Sequence, residues 1–432
     1  MIRLAAALGM VASLVLLPEI AAATPEAART EGVATCASST CHGRALPVET
    51  GIILRNEYVT WSSFDPHARA YATLLSARSR EIARRLGLPN AHEAAECLDC
   101  HTHNVAGEAR GPRFQLDDGI GCEACHGAAG RWLGSHYDTP RVTREDNLAR
   151  GMLALEEPAV RAAVCLGCHA GAEGNRFVTH RVMAAGHPRL GFELDTFTEL
   201  WRTSGGREHY RRDADYAGRK ATPEPLATWS AGLVSQARQY LVLLRTRYAT
   251  DGPLPDFALF NCYSCHRAMG LADWQQRQPA AGAEPGSLRF DDSTLLALQA
   301  VLAGRPSLDP GLAGELGAAI ADLQRATTGA SAGLAPALDS LEAALDQVER
   351  AFVAAPLGRA EARIVLGELV RRATRGDFPD YVHAEQVAMG LVILLDATEA
   401  ARSVEVEALF RTLEDDERYD PARFRQALQQ VH

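Results

Sequence analysis

The 432-residue chain has few aromatic residues, no excess of positive charge, no cysteine to spare and no internal apolar run of membrane length. Each shortage excludes something. Aromatic residues make up only 6% of the chain, so side-chain rings contribute little flat apolar surface to any core. The formal net charge is −10 and there is no basic tail, which argues against nucleic acid as a partner. A membrane-spanning helix needs roughly 18 or more apolar residues in a row. The run Leu4 to Leu17 falls short of that, and nothing later is both long and apolar enough to span a membrane. Strand-like character is also scarce in the first part of the chain, which is rich in Gly and Pro.

What is present is a repeated cysteine–histidine pattern. Four copies read Cys97-Leu-Asp-Cys100-His101, Cys122-Glu-Ala-Cys125-His126, Cys165-Leu-Gly-Cys168-His169 and Cys262-Tyr-Ser-Cys265-His266. A wider copy, Cys36-Ala-Ser-Ser-Thr-Cys41-His42, precedes them. The five copies use all ten cysteines, leaving none for a disulfide or a free thiol. A zinc site or a redox dithiol gives no reason for a histidine to follow every second cysteine. Covalent haem does: two thiols add to the vinyl groups, and the histidine ligates the iron. The two extra spacer residues of the first copy still let both sulfurs reach the ring edge. The expectation is five covalently attached c-type haems, with His42, His101, His126, His169 and His266 as proximal iron ligands.

The start of the chain reads as a secretory signal over residues 1–23. Met1-Ile2-Arg3 is short and positive, Leu4 to Leu17 is apolar, and Ala21-Ala22-Ala23 offers small residues for cleavage before Thr24. Export agrees with the motifs, because c-type haem is attached outside the cytoplasmic membrane. A bacterial, periplasmic or otherwise exported location follows, with no transmembrane segment in the mature chain.

The fold expected is mainly α. Residues 24–271 form a loop-rich multihaem cytochrome domain in which the haems themselves serve as the core. Asp65-Pro66 opens a helix running to about Leu86, stopped by Gly87, and another helix covers 227–249. Residues 272–288 read as a linker, and 289–432 as an α-helical bundle. In the bundle Leu334, Leu338, Leu341, Leu345, Val348 and Phe352 form one apolar stripe at helical spacing. Further helices are expected near 291–303, 311–326, 359–374, 380–400, 404–413 and 421–431, with Asp420-Pro421 as cap and first position of the last.

Residues 33 to about 190 resemble the cytochrome c554 family of multihaem proteins. The resemblance rests on Trp61-Ser-Ser-Phe-Asp-Pro-His67-Ala-Arg-Ala, on Gly119-Ile-Gly-Cys122-Glu-Ala-Cys125-His126-Gly127, on His136 in Gly134-Ser-His136, and on the place of Cys165–His169. It covers roughly a third of the chain. Three features depart from it: the longer first spacer, the fifth motif at Cys262–His266, and the helical region after 288. The resemblance implies that His136 caps the haem of His42, that His67 caps the haem of His126, and that the haem of His101 is the open, five-coordinate one.

The sixth ligand decides what each iron does: a second histidine makes an electron carrier, and an empty position admits small molecules. The remaining candidates come from the residues themselves. His180 and His187 are seven apart, two helical turns, and either could serve the haem of His169, His266 or His101. His92, five residues before Cys97, is another candidate. His103 is too near His101 to serve the same haem, Met183 reads as packing, and His209 as exposed. His383 joins a helix stripe with Val387, Leu391 and Leu394, and His432 ends the chain. Six basic residues over 202–220 (Arg202, Arg207, Arg211, Arg212, Arg219, Lys220) form either a solvated face or a partner for propionates or an acidic protein.

The function expected is electron relay between redox protein partners through closely packed, mostly bis-His haems, with no catalytic acid or base. The alternative is an oxidoreductase in which one open haem acts on a small nitrogen or sulfur compound. A third reading makes the bundle a docking element for a membrane-associated complex, with an exposed apolar helix face.

Overall fold

The computed structural model describes residues 28–49, 54–138, 141–203, 214–218, 220, 223–248, 255–266, 288–328, 333–398 and 404–431. The signal segment, residues 272–287 of the linker, His209 and His432 lie outside them, as does most of the basic stretch 202–220. The described residues are mainly helical, with two isolated bridges and no strand. No described helix is long and apolar enough to cross a membrane.

The expected helices after 288 form as Ser293–Ala303, Gly311–Thr328, Leu334–Ala354, Arg359–Arg375, Tyr381–Ala397, Val404–Arg411 and Pro421–Leu428. Every residue of the Leu334–Phe352 stripe is buried. Asp420 caps the last helix by accepting from Ala422 N at 2.8 Å, and Pro421 takes its first position. Gly311–Thr328 and Leu334–Ala354 pack as a helical hairpin, and Arg359–Arg375 packs on Tyr381–Ala397. Together they enclose one large apolar core.

The helix Pro225–Arg247 belongs to that core and also touches the motif region. It packs on Pro158–His169 on one side and on Leu334–Ala354, Ser293–Ala303 and Tyr381–Ala397 on the other. Trp229 is buried where it meets Gly390: a Cβ there would lie 2.7 Å from Trp229 Cζ2, so only glycine allows this approach. Arg238 reaches Asp346 and Glu349, both at 2.6 Å, and Arg245 reaches Asp339 at 2.7 Å and Glu342 at 2.8 Å. These ion pairs are partly exposed and set the register of the two helices more than they stabilise it.

The first half is built differently. Its own apolar clusters are small: Leu74, Ala83, Ala91 and Leu98 in one, Ala162, Leu166, Phe192 and Leu194 in another. The helix expected over 65–86 is broken into Pro66–Arg69, Ala70–Leu74 and Ala77–Leu86. Ser76 causes the break, because its side chain caps a new start by accepting from Ser79 N. Gly87 ends the last piece at φ 76°. Between the two expected helices the chain is less loop-like than its Gly and Pro content suggested, since short helices carry the motifs themselves.

Candidate haem-binding centre

Each motif sits on a helical turn that aims its residues one way. Cys97, Cys100 and His101 lie on Ala95–His101, the third motif on Cys122–His126, and the fourth at the end of Pro158–His169. The fifth opens on the single turn Cys262–Ser264. In the first motif Cys36 ends Val33–Cys36, and the four spacer residues fold into a tight turn. There Cys41 N and Gly43 N both donate to Ser38 O at 2.9 Å. The longer spacer is taken up locally, and His42 N still returns to Cys36 O at 3.2 Å.

Among the described residues, four of the motif histidines face a second histidine across a gap. The ring centres of His42 and His136 are 6.3 Å apart, His67 and His169 6.1 Å, His101 and His187 6.4 Å, and His180 and His266 6.2 Å. A ring nitrogen binds a metal at roughly 2 Å and a ring centre lies roughly 1.1 Å behind it, so two imidazoles on opposite sides of one ion sit about 6 Å apart. The four spacings match an iron held between two histidines.

The hydrogen bonds point the same way. Nδ1 of His42 meets Glu57 Oε2 at 2.9 Å, and that of His67 meets Asp65 Oδ1 at 2.8 Å. Nδ1 of His101, His136 and His187 donates to the carbonyls of Ala70 at 3.0 Å, Leu133 at 2.6 Å and Pro188 at 2.7 Å. Occupying Nδ1 leaves Nε2 for a metal and fixes the ring about its axis. The carboxylates of Glu57 and Asp65 raise the pKa of His42 and His67, whereas burial lowers that of His136 and His187 and brings His169 to about 4. Burial also pushes up the thiols of Cys97, Cys165 and Cys262, and that of Cys125 to about 12.

The segments around the pairs are braced by named contacts. Trp61 Nε1 donates to Ile120 O at 3.0 Å, and Ile120 N donates to His67 O at 3.1 Å. Gly119, at φ 71°, passes so close to His67 O that a Cβ would lie 2.7 Å from it. Asp256 Oδ1 accepts from His180 N at 3.0 Å and from Ala258 N at 2.8 Å, tying the His180 turn to the segment before Cys262. The buried carboxylate of Glu123, inside the third motif, accepts from Glu31 N at 2.9 Å, Gly32 N at 2.7 Å and Ala129 N at 2.7 Å. That residue and Glu57 had no sequence signal; Asp65, two residues before His67, did.

The histidines expected as ligands are thus sorted by place. His136 faces His42 as the resemblance implies. His67 faces His169, where the resemblance implied His126. His187 faces His101, and His180 faces His266. His126 ends its helix with its carbonyl accepting from Leu153 N at 3.0 Å. His92 lies against the Tyr71 ring and 3.8 Å from Glu93. His103 is half-buried, and its desolvation takes its pKa down to about 4.

Two buried donors among these residues have no protein partner: Trp132 Nε1, whose ring lies against His136, and Nε of Arg161, which stands near Cys165. A haem carboxylate is the kind of group that would satisfy them. No curated protein and no solved structure matches the chain. Residues 35–127 match the family model described as cytochrome c554 and c-prime. That span runs from just before Cys36 to just after His126, so the part of the chain that carries the first three attachment motifs is similar to that family of multihaem c-type cytochromes.

Proposed function

We propose that the chain is an exported pentahaem electron carrier. Residues 24–271 carry the haems, residues 289–432 form the bundle, and 272–288 join them. The single observation that carries the reading is the set of four histidine pairs at 6.1–6.4 Å. When bound, the haems supply one-electron chemistry. The chain's own residues attach them through the ten cysteines and hold both axial faces through His42/His136, His101/His187, His169/His67 and His266/His180. His126 is the proximal histidine of the third motif.

Cysteine contacts between motifs support an order. Cys36 lies close to Cys122, Cys100 to Cys168 and Cys125 to Cys165, near enough for each to perturb its neighbour's titration. His180 opens the helix His180–Ala184, and His187 follows three residues after its end. The attachment sites therefore follow one another as first, third, fourth, second and fifth. The two outer motifs carry the exposed cysteines, Cys41 and Cys265, so redox partners dock at the ends. His187 facing His101 speaks against an open iron at the position where the resemblance put one.

A haem count by pyridine haemochrome, with an EPR spectrum of the oxidised protein, tests this. Five haems with low-spin signals dominant are expected. Four haems, or several high-spin irons, would overturn it.

A further inference from the structure

The fifth motif is gripped by the bundle. The segment before it pairs with the start of the bundle: Asn261 N donates to Arg289 O at 2.8 Å, and Asp291 N to Leu259 O at 3.3 Å. The Tyr263 ring, between the two cysteines, stacks on Tyr381 with centres 5.9 Å apart.

Asn261 is the hinge of this grip. Its Oδ1 accepts from Tyr263 N at 2.9 Å, closing the turn Cys262–Ser264. Its Nδ2 donates to Asp380 Oδ1 at 3.1 Å. The same Asp380 oxygen takes Nδ1 of His383 at 2.6 Å, and Nε2 of His383 reaches Asp292 Oδ1 at 2.8 Å. Arg289 forks onto Asp292 at 2.9 and 2.7 Å. His383 is 0% exposed, and Asp292, Asp380 and Asn261 are no more than 3% exposed. Both ring nitrogens of His383 face carboxylates, so both carry protons, and two cations balance two anions. Such a buried ion network adds little stability over an apolar core, but it admits one arrangement and penalises others.

We propose that Asn261, Asp380, His383, Asp292 and Arg289 form a positioning device for the fifth haem: they fix, from inside the bundle, the turn that presents Cys262, Cys265 and His266. The inference rests on the fifth haem proposed above.

The test uses the full-length, haem-loaded protein and compares midpoint potentials and EPR signals of the unaltered chain, Asn261→Ala and His383→Gln. The expected result for Asn261→Ala is a shift in one midpoint potential and one low-spin signal, with the other four unmoved. That shift should vanish when Cys262 and Cys265 are also replaced by alanine. If His383→Gln fails to fold, Asn261→Ala still decides, because it removes only the link at the edge of the network. Five haems in the unaltered protein with all five unchanged in Asn261→Ala would overturn this inference alone. Four haems in the unaltered protein would overturn the pentahaem reading and this inference with it.

Discussion

His101 and His187 face each other with ring centres 6.4 Å apart and planes at 87°. Each ring spends its Nδ1 on a carbonyl, which leaves its Nε2 for a metal. His187→Ala is therefore expected to convert one low-spin iron to high spin and leave the rest unaltered in EPR. His92→Ala, which removes a ring lying against Tyr71, is expected to leave the spectrum as it was.

Glu123 holds three backbone N–H groups in a site where its side chain is buried. Glu123→Ala would strand those donors, and each unsatisfied buried group costs roughly 1–3 kcal/mol. A loss of about 3 kcal/mol or more, read from denaturant unfolding of the haem-bearing half, is expected from three such groups. Glu123→Gln, which keeps one acceptor oxygen, should lose less. Equal stability of Glu123→Ala and the unaltered protein would contradict this account.

Much of this architecture was legible in the residues. The bundle helices are long and strongly periodic, so burial alone dictated them, and Asp420-Pro421 marks its own cap. The attachment motifs announce themselves by composition. The break at Ser76 was not legible because the apolar pattern continues through it and only a local hydrogen bond decides. The partner of His67 was not legible either. Choosing between His126 and His169 depends on how helices from distant stretches cross, which spacing does not encode. His383 matched a packing stripe in sequence, and its stripe is buried, but the carboxylates of Asp292 and Asp380 that meet it come from 91 and three residues away.

His383 also sets an expectation for pH. Burial works against its charge, but Asp380 and Asp292 outweigh this and raise its pKa to about 9. The groups facing it are those two carboxylates and Arg289. A histidine raised above its ordinary value of about 6.5 stabilises the fold fully below that value and progressively less as pH climbs toward 9. The thermal midpoint of the bundle should therefore fall between pH 6.5 and 9, with at most about 1.4 kcal/mol lost for each pH unit crossed. In His383→Gln that alkaline slope should flatten.

Haem dependence should divide the chain. The bundle has its own continuous core, whereas the first half has two clusters of four buried apolar residues each. Expressed without haem attachment, the chain is expected to keep a protease-resistant, helical fragment beginning near residue 225. The part before it should be digested. Comparable resistance across both halves would show that the first half does not need its cofactors to fold.

In the proposed reading, the segment from His180 to His187 answers to two irons at once. Its ends are pinned, at Asp256 on one side and through Arg189 to Glu385 at 2.7 Å on the other. Exchanging one side chain for another between these histidines alters packing and little else, except at Gly186, whose φ of 114° disfavours any side chain. Adding or removing a single residue within the helix His180–Ala184 turns one ligand by about 100° relative to the other, so no placement of the segment satisfies both centres. The interval between them is thus a ruler, free in its spelling outside Gly186 and fixed in its length.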